Sequence, residues 1–185
     1  MNPFLTFDVW LFRLVNSTLA NPVFDLCMPF ITNIANIIPV MITIMVIIVW
    51  RGSREDIVFM LIALLALVAA DQTIGILKSY FSRPRPCQEL DLVRLLVDCG
   101  KGKSFPSGHG AYNGAVAVAA IVVYGWRNSL WWGAAAMVIC YSRVYVGVHY
   151  LSDVAGGMLW GGIIALSIGA VWKRVFARNA YLRLA

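Results

Sequence analysis

Three short segments hold the residues of this chain best suited to chemistry. The first reads Lys78-Ser-Tyr-Phe-Ser-Arg83-Pro-Arg85-Pro86. The second reads Phe105-Pro106-Ser107-Gly108-His109. The third is Ser142-Arg143, then five residues, His149, then three residues, Asp153. Together they offer three cations (Lys78, Arg85 and Arg143), two imidazoles, one carboxylate and a Ser-Gly turn. His109 and His149 are the only two histidines in the sequence. Such a set is suited to nucleophilic and acid–base work.

Taken singly, each residue has a plainer role. Lys78 could snorkel from a helix end, and Arg85 could anchor the chain at a membrane surface. His109 and His149 could each be satisfied polar groups at helix boundaries. Asp153, with Ser152, could cap the last helix, and Ser107-Gly108 could cap the one before it. Arg143 is harder to set aside, because it lies in a helical run between Tyr141 and Tyr145. A charge inside an apolar span is a functional candidate by default.

The elements that must position these residues are membrane helices. Of 185 residues, 61% are hydrophobic and only 13% charged, which is too little polar sequence to cover a soluble fold. Apolar runs at 34–50, 57–77, 110–126, 130–147 and 154–172 are each 17 to 21 residues long. That is near the length of a helix crossing about 30 Å of hydrocarbon. The expected fold is an all-α, polytopic transmembrane bundle of about five spans, forming a single domain over residues 1–185. Phe4, Phe7, Leu11 and Leu14 recur at helical spacing. They predict an amphipathic interfacial helix over 4–19, ended by Asn21-Pro22, so that residues 1–22 lie on the membrane. Asp8 and Arg13 interrupt this segment, so a signal peptide is not expected. Pro29 and Pro39 are expected kinks. Residues 23–33 read equally as a separate short helix or as the start of a long one.

Five spans put alternate loops on opposite faces. One face receives the N-terminal helix, the long polar loop 78–108 and the link around His149, so the three segments converge on it. The other receives the turns at Arg51 and Arg127 and the basic C-terminal tail. The net charge of +6 sits mainly at helix ends, where it suits anionic lipid. No basic, aromatic-rich stretch remains for a nucleic acid, and none is expected as a partner. Gly157 and Gly161 are spaced for close helix packing, within the bundle or between subunits. Asp71, seven residues before Lys78, has two readings: support of the cations, or packing against another polar group such as Asn33 or Asn36.

In combination, Lys-x6-Arg-Pro, Pro-Ser-Gly-His and Ser-Arg-x5-His-x3-Asp resemble the three signature motifs of the type 2 phosphatidic acid phosphatase (PAP2) family. That family shares its site with bacterial non-specific acid phosphatases and vanadium haloperoxidases. The resemblance spans roughly 55–172 and implies a role for each residue. His149 would attack phosphorus to give a phosphohistidine. Asp153, on the same helical face one turn away, would hold the proton of the other ring nitrogen. His109 would protonate the leaving oxygen and then activate water. Lys78, Arg85 and Arg143 would neutralise the phosphoryl oxygens, with Ser107 and the Gly108 N–H as further donors. With three fixed cations, neither a metal nor another cofactor is expected.

The implied activity is hydrolysis of a lipid phosphate or pyrophosphate. The Arg83-Pro-Arg85-Pro86 form and short N-terminus look most like the undecaprenyl-pyrophosphatase and lipid A phosphatase branches. Phosphatidylglycerol phosphate is a third candidate substrate. Phosphotransfer to a second lipid is the alternative chemistry, and a non-catalytic membrane scaffold is the remaining class. The motifs do not separate these substrates, nor do they set an oligomeric state. Setting aside the three phosphate-binding cations leaves five Lys and Arg on the site's face, against seven on the other. This count favours an extracytoplasmic site, and the resemblance to bacterial branches implies the inner membrane as its location. Cys87 and Cys99, both in the 78–108 loop, would then meet an oxidising compartment and pair. Such a bridge closes about a dozen residues, worth about 3 kcal/mol in chain entropy. Cys27 and Cys140 read as small apolar residues.

Overall fold

The computed structural model describes residues 3–181. Arg183 of the basic tail lies outside them. Eight α-helices and one π-helical turn follow in order, and no strand occurs among the described residues.

Helix α1 (Pro3–Arg13) runs into the π turn Leu14–Thr18. The expected 4–19 helix therefore changes its winding near its end. Its inward face also differs from the expected apolar stripe. Asp8, Phe12 and Asn16, spaced four apart, are buried against the bundle, while Phe7 and Trp10 are exposed.

Residues 22–32 form a separate helix. Asn21 caps α2 (Pro22–Thr32) by accepting Phe24 N–H at 2.9 Å, with Pro22 pre-set at the first position. Asn33 is extended and ends α2. Its side chain then caps α3 (Ile34–Arg51) through Ala35 N–H. Pro29 and Pro39 lie inside these helices.

Ser53 and Asp56 form a capping box at the start of α4 (Arg54–Phe81), which ends at left-handed Ser82. The loop after it contains one short turn, α5 (Pro86–Glu89). Helices α6 (Gly108–Tyr124), α7 (Leu130–Tyr145) and α8 (Leu151–Tyr181) complete the chain. Three stretches are long and apolar enough to cross a membrane: Ile34–Arg51, Arg54–Glu89 and Leu151–Phe176. Helices α6 and α7, of 17 and 16 residues, are shorter. At 1.5 Å per residue they reach about 24–26 Å.

Helices α6 and α8 form the tightest pair. A Cβ on Gly157 would stand 2.2 Å from Ser107 O, and one on Gly161 would stand 1.8 Å from Ala111 O. These glycines therefore pack within the bundle, where missing side chains let two backbones touch. Alanines continue the seam: Ala63, Ala66, Ala115, Ala119 and Ala165 are buried with Phe59 and Ile62 between α4, α6 and α8. Helix α3, by contrast, has no buried residue. Asp71 does pack against another polar group, though neither Asn33 nor Asn36. It accepts the Tyr112 hydroxyl at 2.5 Å, while Asn33 and Asn36 bond to backbone at the α2–α3 junction.

Candidate active site

The end of α4, the start of α6 and the α7–α8 link meet at one end of the bundle. Ser107 N–H donates to Asp153 O at 2.9 Å, and Leu96 N–H donates to Val146 O at 3.2 Å. Gly147 makes the link possible. Its φ of +92° suits glycine, and a Cβ there would meet Arg94 O at 2.7 Å. The N-terminal segment is clamped to the same end. Asn16 Nδ2 donates to Arg94 O and Tyr145 O, and Arg94 forks onto both oxygens of Asp25.

His149 lies in this link and not on helix α8, so it does not share a helical face with Asp153. The two meet for a different reason. Asp153 Oδ2 turns back to accept Tyr150 N–H at 2.8 Å, capping α8, and this brings it 3.4 Å from His149 Nδ1. Asp153 therefore holds the capping role and the histidine contact together. Both residues are buried, at 2% and 0% exposure. The Ser104 hydroxyl bonds the same Asp153 oxygen. The other ring nitrogen, Nε2, faces Arg85 Nη1 at 3.3 Å. Burial pushes His149 down to about 4 against the pull of Asp153, with Arg85 and Arg143 adding to the fall. The ring is thus neutral at ordinary pH. Burial also lowers Arg85, which stays cationic.

The three expected cations rest on neutral partners. Lys78 Nζ donates to Lys103 O at 2.9 Å. Arg85 Nε donates to Gly102 O at 2.8 Å, and its Nη1 to Val148 O. Arg143 Nη1 donates to Thr32 Oγ1 at 2.6 Å. Two buried nitrogens, Arg143 Nε and His109 Nε2, have no hydrogen-bond partner among the described residues. Ser107 caps α6 by accepting Gly110 N–H at 3.3 Å, so the capping role read from Ser107-Gly108 is filled. A disulfide joins Cys87 to Cys99, tying the Arg85 end of the loop to its Gly102 end. Cys27 and Cys140 are free.

Several contributors were not singled out from the sequence. Arg83 Nη1 donates to Asp153 Oδ1 at 2.8 Å and its Nη2 to Asp8 Oδ2 at 2.7 Å, while its guanidinium lies 3.9 Å over the Tyr150 ring. Thr32 and Ser104 also reach the site. The one available signal was the Asp8–Phe12–Asn16 spacing, which puts two polar groups on the inward stripe shared by α1 and the π turn after it.

A cavity of about 500 Å³ opens beside His109, between α3, α6 and α7. Its walls are almost wholly apolar, including Ile34, Ile37, Met41, Tyr112, Trp132 and Ile139.

Comparison with known proteins gives the family of the chain. A relative in Escherichia coli K12, named "Putative undecaprenyl-diphosphatase YbjG", is 29% identical over 180 residues, covering 94% of this chain and 86% of its own. The crystal structure of Aquifex aeolicus LpxE superposes with a TM-score of 0.68 at 26% identity, covering 86% of this chain and 93% of that one. A PAP2-type phosphatidylglycerolphosphate phosphatase from Bacillus subtilis has the same fold, with a TM-score of 0.73 at 22% identity, over 95% of this chain and 89% of that one. The sequence profile of the PAP2 superfamily matches residues 59–179, a stretch that includes all three motif segments. The chain belongs to the PAP2 superfamily and is a membrane phosphatase.

Proposed function

We propose that this protein hydrolyses a lipid phosphate or lipid diphosphate through a phosphohistidine on His149, without a metal. The observation that carries the lipid reading is the apolar cavity with His109 at its edge. Hydrocarbon in that cavity would place a phosphoryl headgroup between His109, Arg143 and His149. Its volume falls in the range of specific ligand sites, roughly 300–1,000 Å³.

In this reading Asp153 keeps the proton on Nδ1 of His149, and Nε2 attacks phosphorus beside Arg85. Lys78, Arg85 and Arg143 stabilise the charge on the phosphoryl oxygens as the transition state forms. The unpartnered Arg143 Nε and His109 Nε2 gain partners in the phosphoryl group and the leaving oxygen. Ser107 and Gly108, at the start of α6, add donors where the helix dipole favours an anion. His109 first protonates the leaving group and then draws a proton from water, which frees His149.

Helices α6 and α7 complete a five-span bundle with α3, α4 and α8, and α1 lies in the interface at the active-site end. That end faces the extracytoplasmic side of a bacterial inner membrane, which suits the Cys87–Cys99 bridge and the Lys and Arg count. Undecaprenyl diphosphate is the first substrate to test, because the relative named for it matches along nearly the whole chain. The experiment is phosphate release by the purified protein in detergent, with EDTA present, from undecaprenyl diphosphate, lipid A and phosphatidylglycerol phosphate. Turnover of at least one, without an added acceptor lipid, is expected. Activity that EDTA abolishes and magnesium restores overturns the metal-free reading. Release that requires an acceptor lipid replaces hydrolysis with phosphotransfer.

A further inference from the structure

Helix α1 contributes a buried carboxylate to the active-site end, from outside the 59–179 stretch that defines the family match. Asp8 is 3% exposed. Its Oδ1 accepts Ser152 N–H at 3.1 Å, and its Oδ2 accepts Arg83 Nη2 and the Ser152 hydroxyl. Arg83 Nη1 reaches Asp153 Oδ1 at 2.8 Å. One guanidinium is thus shared by two buried carboxylates, and stacking on Tyr150 holds its plane.

Sharing has an electrostatic result. Asp8, Arg83 and Asp153 together carry one net negative charge, and Asp153 presents it to His149 Nδ1. Attack by Nε2 makes the imidazole ring cationic, so a negative neighbour stabilises the step. Arg83 paired with Asp153 alone would cancel that charge. The other charged groups facing His149 are Arg85 from the loop and Arg143 from α7, and both oppose a cationic ring. Among the described residues Asp153 is the one carboxylate that contacts the ring against them.

We propose that Asp8 is a positioning residue for the hydrolysis: it draws on the charge of Arg83, so that Asp153 stays fixed in orientation and negative toward His149. The inference rests on the phosphohistidine reading above. It makes α1 part of the catalytic apparatus as well as a membrane-surface helix.

The test uses the full-length protein in detergent with undecaprenyl diphosphate, or with whichever lipid of the panel the wild type turns over. Active sites are counted by orthovanadate titration, and melting temperature is read alongside. Asp8→Asn keeps the shape and removes the charge. It is expected to lower kcat per site by about ten- to a hundredfold, as for sub-ångström misplacement of reacting groups, with KM changed less than about threefold. Asp8→Glu, which restores the carboxylate, recovers most of that loss. Arg83→Lys keeps the charge but cannot fork onto two carboxylates. It is expected to show the same kcat-selective loss, and it carries the test should Asp8→Asn not fold. A lower melting temperature with kcat per site within twofold of wild type makes Asp8 a brace only and overturns the proposal. So does a loss lying wholly in KM, or an Asp8→Glu variant no better than Asp8→Asn. A wild type that releases phosphate from no lipid in the panel overturns the phosphatase reading itself, and this inference with it.

Discussion

Gly157 couples the packing of the bundle to the alignment of its catalytic groups, and replacing it with alanine tests that coupling. A Cβ at 157 would stand 2.2 Å from Ser107 O, 3.0 Å from Ala111 N and 3.2 Å from Gly110 Cα. All three are backbone atoms, so no side chain can swing aside. Ordinary contact begins near 3.4 Å, so α6 and α8 must part locally by the difference from 2.2 Å, about 1.2 Å. The backbone pushed away, 107–111, carries His109, and the first turn of α8 carries Asp153. Gly157→Ala thus moves His109, the proposed acid–base group, away from His149 and Asp153 by about an ångström. Displacement of that size costs about 10²-fold in turnover, and overpacking costs about 1–3 kcal/mol of stability. The assay is phosphate release from a lipid phosphate, with melting in the same detergent. Gly75→Ala is the control. It lies in α4 with nothing within 4 Å of its would-be Cβ. Its activity should be unchanged and its stability equal or higher, by up to about 1 kcal/mol from helix propensity. A Gly157→Ala protein with wild-type turnover and melting would refute the argument.

The roles proposed for His149 as nucleophile and His109 as acid are separable by substrate. His149→Ala should lose about 10⁴–10⁶ in rate. His109→Ala should lose about 10²–10⁴ with a poor leaving group and less with a good one; equal losses for both would remove His109 as the acid. Stability should also depend on pH through His149. Its folded value, about 4, lies below its ordinary 6.5, so the unfolded chain takes up a proton that the folded one refuses. The contribution is complete above about pH 6.5 and is lost as pH falls toward 4. Melting temperature should decline across that window, less steeply in His149→Gln, and an identical decline would assign it to other groups. Alkylation of the denatured, unreduced protein followed by peptide mapping should find Cys27 and Cys140 modified and Cys87 and Cys99 protected. Modification of all four would exclude the bridge.

The make-up of the candidate site was legible because its side chains sit in three compact runs with fixed internal spacing, and the apolar runs between them carry a strong signal of their own. The small-residue pattern at Gly157 and Gly161 likewise announced close packing, although not against which helix. What lay hidden was long-range or locally ambiguous. The Asp8–Arg83 pair joins residues 75 apart and Ser152–Asp8 joins residues 144 apart. The four-residue spacing of Asp8, Phe12 and Asn16 is the one local trace of an inward Asp8, and its neighbours Phe7 and Trp10 outweigh it by advertising a membrane-facing helix. The break at Asn33 was equally obscure, since apolar residues run on either side of it and its extended backbone leaves no compositional trace. His149 and Asp153 are four apart, which suits a helical face. The helix instead begins at Leu151, and the contact forms by capping.

Five of the cations at this end sort into two kinds by their partners. Arg83 and Arg94 are held by carboxylates. Among the described residues Lys78, Arg85 and Arg143 make no ion pair and lean on carbonyl or hydroxyl oxygens. Their charge is therefore uncompensated by any contacting carboxylate. In a low-dielectric surrounding such charge projects a positive potential well beyond contact distance. Anionic headgroups diffusing in the plane of the bilayer would be drawn toward the site before touching it. The same field would slow the departure of released phosphate, so inorganic phosphate should compete with substrate, and added salt should weaken both effects.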